Sequence, residues 1–183
     1  LNAPGAPAFM YTSGDPTDLP FLDYLARNGK PIILSTGMSY LSEVEQALKV
    51  IRNAGNNETI LLHCVSNYPA AASDANLRAM RTMADEFQVP VGFSDHTGGT
   101  IVAIAAVALG ASVIEKHLTL DKNLPGPDHR ASLEPQEFKE LVESIRNVAL
   151  DLGKGNKEPR GAERDPRRAA RRTLVGRSLL EYG

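Results

Sequence analysis

The sequence predicts an α/β chain of the (β/α)8 TIM barrel class, present as an incomplete barrel of about five βα units. Three observations predict it. Five short apolar runs alternate with segments of helical pattern. The runs are continuously apolar, as in a parallel sheet covered on both faces, and do not alternate as in a sheet with one wet face. The repeat is roughly 20–30 residues per unit, which suits a barrel; a doubly wound open sheet is the other architecture with this rhythm. Five strands cannot close such a barrel, so three are expected before Leu1, where the chain opens on a Pro- and Ala-rich stretch without methionine.

Ala8 to Ser13 reads as the first strand, closed by the turn Gly14-Asp15-Pro16, and Leu19 to Asn28 as a short helix. Pro31 to Ser35 is a buried strand. Ser42 and Glu45 have the spacing of a capping box, and Val44, Ala47, Leu48 and Ile51 form the apolar stripe of the helix that follows. Thr59 to Ser66 is the third strand. Asp74 to Phe87 is a helix with Leu77, Met80, Ala84 and Phe87 on one side. Val89 to Thr97 and Ala111 to Thr119 are the last two strands, joined by the small, apolar helix Ile101 to Gly110. Right-handed crossovers make such strands parallel neighbours. Pro135 to Leu152 is the final helix, with Phe138, Leu141, Val142, Ile145, Ala149 and Leu152 as its apolar face. Residues 1–153 thus form one α/β domain. Beyond Gly153 the composition turns to that of a linker. Arg160, Arg164, Arg167, Arg168, Arg171 and Arg172 punctuate it among acidic residues, the pattern of a solvated segment over 154–172. Thr173 to Gly183 begins a further strand.

Composition narrows the function classes. The chain of 183 residues is 42% apolar and 23% charged with net charge −2, long enough to bury one core and without the basic excess of a nucleic-acid binder. No run has the length of a membrane helix, and no secretory leader pattern opens the chain. The single cysteine, Cys64, allows no internal disulfide and fits a reducing cytoplasm. In an apolar strand it reads as a small buried hydrophobe before it reads as a nucleophile.

The chemistry lies at the strand ends. His96 and His117 sit at the same end of two adjacent strands, and period-two alternation puts Ser94 with His96 and Glu115 with His117 on one face. Two imidazoles at the carboxyl ends of neighbouring parallel strands can share one divalent ion and leave positions open for water and substrate; two satisfied polar residues are the plain alternative. Ser13, Ser35, Ser66 and Ser94 close four successive strands, each at a turn. Hydroxyls and turn amides around one mouth suit a phosphate, although serine is also common where strands become loops. Asp128, in a loop stiffened by Pro125 and Pro127, is placed to meet a polyhydroxy substrate or simply to terminate a surface turn. His63 and His129 read as structural.

The motifs Ser94-Asp-His-Thr97, Glu115-Lys-His-Leu-Thr119, Gly126-Pro-Asp-His-Arg-Ala-Ser132, Lys30-Pro-Ile-Ile-Leu-Ser-Thr-Gly-Met38 and His63-Cys-Val-Ser-Asn-Tyr-Pro69 closely resemble the sialic acid synthase family, including N-acetylneuraminate, legionaminic and pseudaminic acid synthases. The likeness runs from about Phe9 to Arg172. It implies strands four to eight of a barrel, followed by an antifreeze-like (SAF) domain of which 173–183 would be the start. It implies a cytoplasmic enzyme, homodimeric at full length, that condenses phosphoenolpyruvate with an N-acylated amino sugar. No nucleic acid or membrane partner is implied. The resemblance makes His96 and His117 the ligands of Mn2+, or of Mg2+ or Co2+ in its place, with Glu115 beside them in the catalytic set. It puts Ser13, Ser35, Ser66 and Ser94 around phosphoenolpyruvate, and Tyr68, Asp128 and Asp15 near the sugar. Met10 departs from the pattern, since the family carries lysine there. The readings from other classes are a metal-dependent aldolase or hydrolase on a similar barrel, and a non-catalytic relic that binds sugar or metal.

Overall fold

The computed structural model describes residues 5–12, 14 and 17–171. The chain divides into two compact units, Leu1–Leu152 and Gly153–Gly183. In the first, β1 (Phe9–Tyr11), α1 (Leu19–Ala26), β2 (Ile32–Ser35), α2 (Leu41–Asn53), β3 (Thr59–Cys64), α3 (Arg78–Phe87), β4 (Val91–Asp95), α4 (Ile101–Ala108), β5 (Ile114–Lys116) and α5 (Pro135–Asp151) follow one another. The strands form one sheet in the order β1-β2-β3-β4-β5, every pair parallel. A doubly wound sheet would reverse its strand order at a switch point. This sheet adds each strand beside the one before it, and is an incomplete (β/α)8 barrel.

Period-two alternation sorts the sheet into an outer face against the helices and an inner face. Phe9, Tyr11, Ile32, Leu34, Leu61 and Phe93 point outward into the main core with α1, α2 and α3. The register sets the inner positions in rows: Ser35 beside Leu62 beside Gly92, and Cys64 beside Ser94 beside Glu115. Strand-end side chains from β2 to β5 therefore arrive at one end of the sheet on one face.

The helices form where local chemistry starts them. Asp18 accepts a hydrogen bond from the Phe21 amide at 3.2 Å, capping α1. The buried stripe of α2 is Val44, Ala47, Leu48 and Ile51, as its periodicity requires. Its cap lies two residues earlier than the Ser42–Glu45 spacing suggests. The Glu43 carboxylate reaches back to the Tyr40 amide at 2.6 Å, because the turn from Thr36 to Ser39, closed by a 2.9 Å bond, ends in time for a start at Leu41. α3 begins at Arg78 and not at Asp74. A short 3-10 turn covers Ala72–Asp74, and Asn76 with φ of 40° breaks helical continuity before Arg78. Met80, Met83 and Phe87 are its buried side. Pro135 starts α5, and Glu137 returns to the Glu134 amide at 2.9 Å. Leu141 packs with Ala103 and Leu133 in a second cluster beneath α4.

In the second unit a 3-10 turn at Gly161–Glu163 leads into α6 (Arg164–Ala170), with Glu163 accepting from the Arg160 amide at 2.7 Å. The exposure expected of its charged residues is found at Arg160, Arg164 and Arg167. The expected strand over 173–183 lies outside the described residues. Among the described residues no helix is long and apolar enough to cross a membrane.

Gly92 lies where the segment before β5 runs tight against β4. A β-carbon there would lie 2.4 Å from the Val113 carbonyl oxygen and 2.8 Å from Leu62 Cδ2. Since the first neighbour is backbone, relief requires the strands to part. Gly92→Ala is expected to lower stability by roughly 1–3 kcal/mol, and Gly98→Ala, whose β-carbon meets nothing within 4 Å, by less than about 1 kcal/mol. Urea denaturation of both variants checks the contrast.

Candidate active site

The inner strand-end residues enclose a cavity of about 590 Å³ lined by Met10, Thr12, Gly14, Ser35, Met38, Ser66, Tyr68, Ser94, His96, Glu115 and His117. Its floor is carried by rigid strands. Its polar groups converge because every strand in a parallel sheet runs the same way, so the carboxyl ends gather on one side.

Three side chains in the cavity are chained by hydrogen bonds. The Ser94 hydroxyl donates to Glu115 Oε1 at 2.8 Å and lies 3.2 Å from His96 Nε2. His96 Nδ1 lies 2.7 Å from the Val65 carbonyl oxygen. A carbonyl only accepts, so Nδ1 carries a proton. A hydroxyl has one proton to give, and Ser94 gives it to Glu115. The other ring nitrogen of His96, Nε2, faces the Ser94 oxygen and the cavity. That nitrogen is satisfied by a further proton or by a cation. His117 faces it with ring centroids 5.5 Å apart at 69°, so the two imidazoles would be able to hold one ion together. A histidine that spends its other N–H on a backbone carbonyl is the usual form of a metal ligand. The donor set fits a divalent ion with open positions. Among the described residues no group of three or more His, Cys, Asp or Glu side chains stands together in the manner of a closed metal site.

Tyr68 lies against both histidines, its ring centroid 4.2 Å from that of His96 and 5.4 Å from that of His117. Burial pushes its phenol above the usual range, and the charges of Cys64, Asp128 and Glu115 add to the effect. The phenol therefore stays protonated and able to donate at neutral pH. Ser35 and Ser94 are buried. The Ser66 hydroxyl is enclosed and has no hydrogen-bond partner among the described residues, so it is able to bond a ligand oxygen. Met10 is half exposed at the cavity wall. Asp128 stands outside the lining residues, on an exposed loop tied by Ser132 Oγ donating to its carbonyl at 2.7 Å. Ser13 and Asp15 lie outside the described residues.

The other two histidines are committed elsewhere. His63 Nε2 is 2.9 Å from the Ala75 carbonyl oxygen, and His129 Nδ1 is 2.7 Å from Thr119 Oγ1. A neighbouring cleft of about 700 Å³ between α2 and α3 includes His63 and meets the first cavity at Met38 and Ser66. Sequence reasoning passed over Asp95 and Lys116, each one residue before a cavity histidine. They form an ion pair of 2.9 Å with both side chains wholly buried. The available signal was two opposite charges at outward positions of otherwise apolar strands.

Comparison with known proteins agrees with this architecture. The model described as the NeuB family matches residues 1–157. N,N'-diacetyllegionaminic acid synthase of Legionella pneumophila is 48% identical over 98% of this chain and 51% of its own length. Its counterpart from Campylobacter jejuni is 47% identical over 100% of this chain and 55% of its own. The crystal structure of the sialic acid synthetase of Leptospira borgpetersenii, in complex with citrate, superposes with a TM-score of 0.83 and 37% identity, covering 92% of this chain and 60% of that one. The chain thus spans about half the length of the curated relatives it matches.

Burial lowers the His63 pKa from its ordinary value of 6.5. The unfolded chain then takes up that proton first as pH falls, so the stability held above pH 6.5 is lost below it. A His63→Gln variant is expected to show a flatter decline of urea midpoint between pH 7.5 and 5.5 than the parent. An unchanged slope would show that His63 is not the titrating group.

Proposed function

The chain belongs to the NeuB family, and from that premise we propose that it is the barrel portion of a synthase that joins phosphoenolpyruvate to an N-acylated amino sugar of the N-acetylmannosamine type. The products are a nonulosonic acid of the sialic acid kind and inorganic phosphate. The observation that carries the reading is the convergence of Ser66, Tyr68, Ser94, His96, Glu115 and His117 on one cavity at the carboxyl ends of the strands. In this reading 1–153 is the partial barrel, 154–172 joins it onward, and 173–183 opens the SAF domain. The enzyme works in the cytoplasm as a homodimer at full length; the single cysteine, Cys64, buried in the core, is in keeping with that compartment.

The roles divide by chemistry. Ser35, Ser66 and Ser94, together with Ser13, hold the phosphate and carboxylate oxygens of phosphoenolpyruvate, and the Ser66 hydroxyl, without a partner among the described residues, supports such a contact. Tyr68, Asp128 and Asp15 orient the open-chain sugar. His96 and His117 would hold a divalent ion, Mn2+ before Mg2+ or Co2+; when bound it supplies Lewis acidity toward the sugar aldehyde. Carbon 3 of phosphoenolpyruvate forms a bond to the aldehyde carbon, whose oxygen takes a proton. Water adds to the cationic carbon 2 and loses a proton; the hydroxyl so formed then gives up its remaining proton and becomes the carbon 2 carbonyl as the bond from carbon 2 to the phosphate oxygen breaks and phosphate leaves. Glu115, held by Ser94 at 2.8 Å, is the carboxylate placed to take or return the proton. The cavity wall keeps both substrates aligned, which turns a bimolecular step into a local one.

Phosphate release from phosphoenolpyruvate by the full polypeptide, supplied with Mn2+ and a panel of N-acylated mannosamine-type sugars, tests the reading. Release is expected only with sugar, and His96→Ala and His117→Ala are each expected to lower it by roughly a hundredfold or more. Met10→Lys is expected to lower the KM for phosphoenolpyruvate by adding a cation to the wall. Release without sugar, or none with any sugar from a folded protein, would overturn the synthase reading.

A further inference from the structure

We propose that Asp95, Thr97 and Lys116 are positioning residues that clamp the backbone on either side of His96 and tie it to the segment carrying His117. The inference goes beyond the synthase reading. It rests on that reading only for the use to which the clamped histidines are put.

The geometry is a closed set of bonds. Asp95 Oδ1 accepts from the Thr97 amide at 2.8 Å and from the Thr97 hydroxyl at 2.7 Å. These bonds bend residues 95–97 around His96. Asp95 Oδ2 accepts from Lys116 Nζ at 2.9 Å, and the same ammonium donates to the Thr97 carbonyl oxygen. One cation on β5 thus grips the residue before His96 and the residue after it. Lys116 is itself bonded through the chain to Glu115 and His117. The remaining carbonyls are held too, since His96 O accepts from the Ala70 amide and His117 O from the Leu133 amide, each at 2.9 Å.

The choice of residues is informative. Both charged side chains are wholly buried, on the outer face opposite the cavity. A well-packed apolar pair in such a place is often as stable as an ion pair or more so, so stability alone does not call for charge. An apolar pair, however, has no directional bonds. It would leave the Thr97 amide and carbonyl without these partners and the two strand ends free to shift. The ion pair fixes direction as well as distance, which two rings converging on one small ion require.

The test uses the full polypeptide and two variants. Asp95→Asn combined with Lys116→Met removes both charges at similar volume. Thr97→Val removes only the hydroxyl bond and serves where the double variant does not fold. The first readout needs no metal: the His96 ring N–H, held on the Val65 carbonyl, is followed by nitrogen-15 NMR. The second is Mn2+ affinity by electron paramagnetic resonance. In folded variants the ring N–H signal is expected to broaden or exchange away, and Mn2+ affinity to fall 10- to 100-fold for the double variant and severalfold for Thr97→Val. Lys116→Arg, which keeps the cation, is expected to retain more of both than the double variant. A folded variant that keeps a sharp ring signal and Mn2+ affinity within twofold overturns the inference. His96→Ala and His117→Ala serve as controls. If they leave Mn2+ binding unchanged, the metal reading fails, and the ring signal alone decides the clamp.

Discussion

Lys116 crosses from β5 to β4 and places its ammonium where no water can reach it. Much of the site depends on that contact. Burying an ammonium and a carboxylate costs several kcal/mol per ion in practice, and only close, directional bonds offset it. Here the bonds are to Asp95 and to the Thr97 carbonyl. They cannot form unless β4 and β5 pair in one register, with Asp95 beside Lys116. A slip of β5 by one residue would turn Lys116 into the cavity and Glu115 into the helix layer, away from Asp95 and Ser94. The buried pair and the apolar outer face around it therefore select the same register, and that register delivers both histidines to one mouth.

Gly92 imposes the second constraint. The Val113 carbonyl and the Leu62 side chain already occupy the space that a β-carbon would take. The close approach lets the segment before β5 run tight against β4, beneath the row formed by Cys64, Ser94 and Glu115. Above it, Tyr68 covers both imidazoles with its ring. The site is thus bounded below by backbone contact and above by an aromatic face.

The polar inventory of the cavity is economical. Ser94 has one proton and two suitors, Glu115 and His96. His96 has one committed N–H, on Val65. Ser66 has a hydroxyl with no partner among the described residues. Protein interiors rarely leave such groups unmatched, and here the unmatched valences lie together around one space. Their chemistry, a ring nitrogen and the Ser66 hydroxyl beside a carboxylate, suits a cation and an oxygen-rich anion together.

The apolar runs by themselves determined five parallel strands and the helices between them, because a strand buried on both faces must be apolar throughout. The stripe of α2 and the paired strand-end histidines were equally legible, since periodicity and position are properties of the chain. The start of α3 was not, because the left-handed Asn76 that delays it leaves no apolar signature. Nor was the cap of α2, where a loop bond from Ser39 to Thr36 outweighed a Ser–Glu spacing. The basic stretch after Gly153 gave no helical periodicity, yet part of it is helix. Only the tertiary structure decided which polar residues meet: that Ser94 bridges Glu115 and His96, that Tyr68 lies over both rings, and that Asp95 and Lys116 neutralise one another behind them. The alternation of a strand tells which face a side chain takes, whereas its partner depends on the register and curl of the whole sheet, which no single segment encodes.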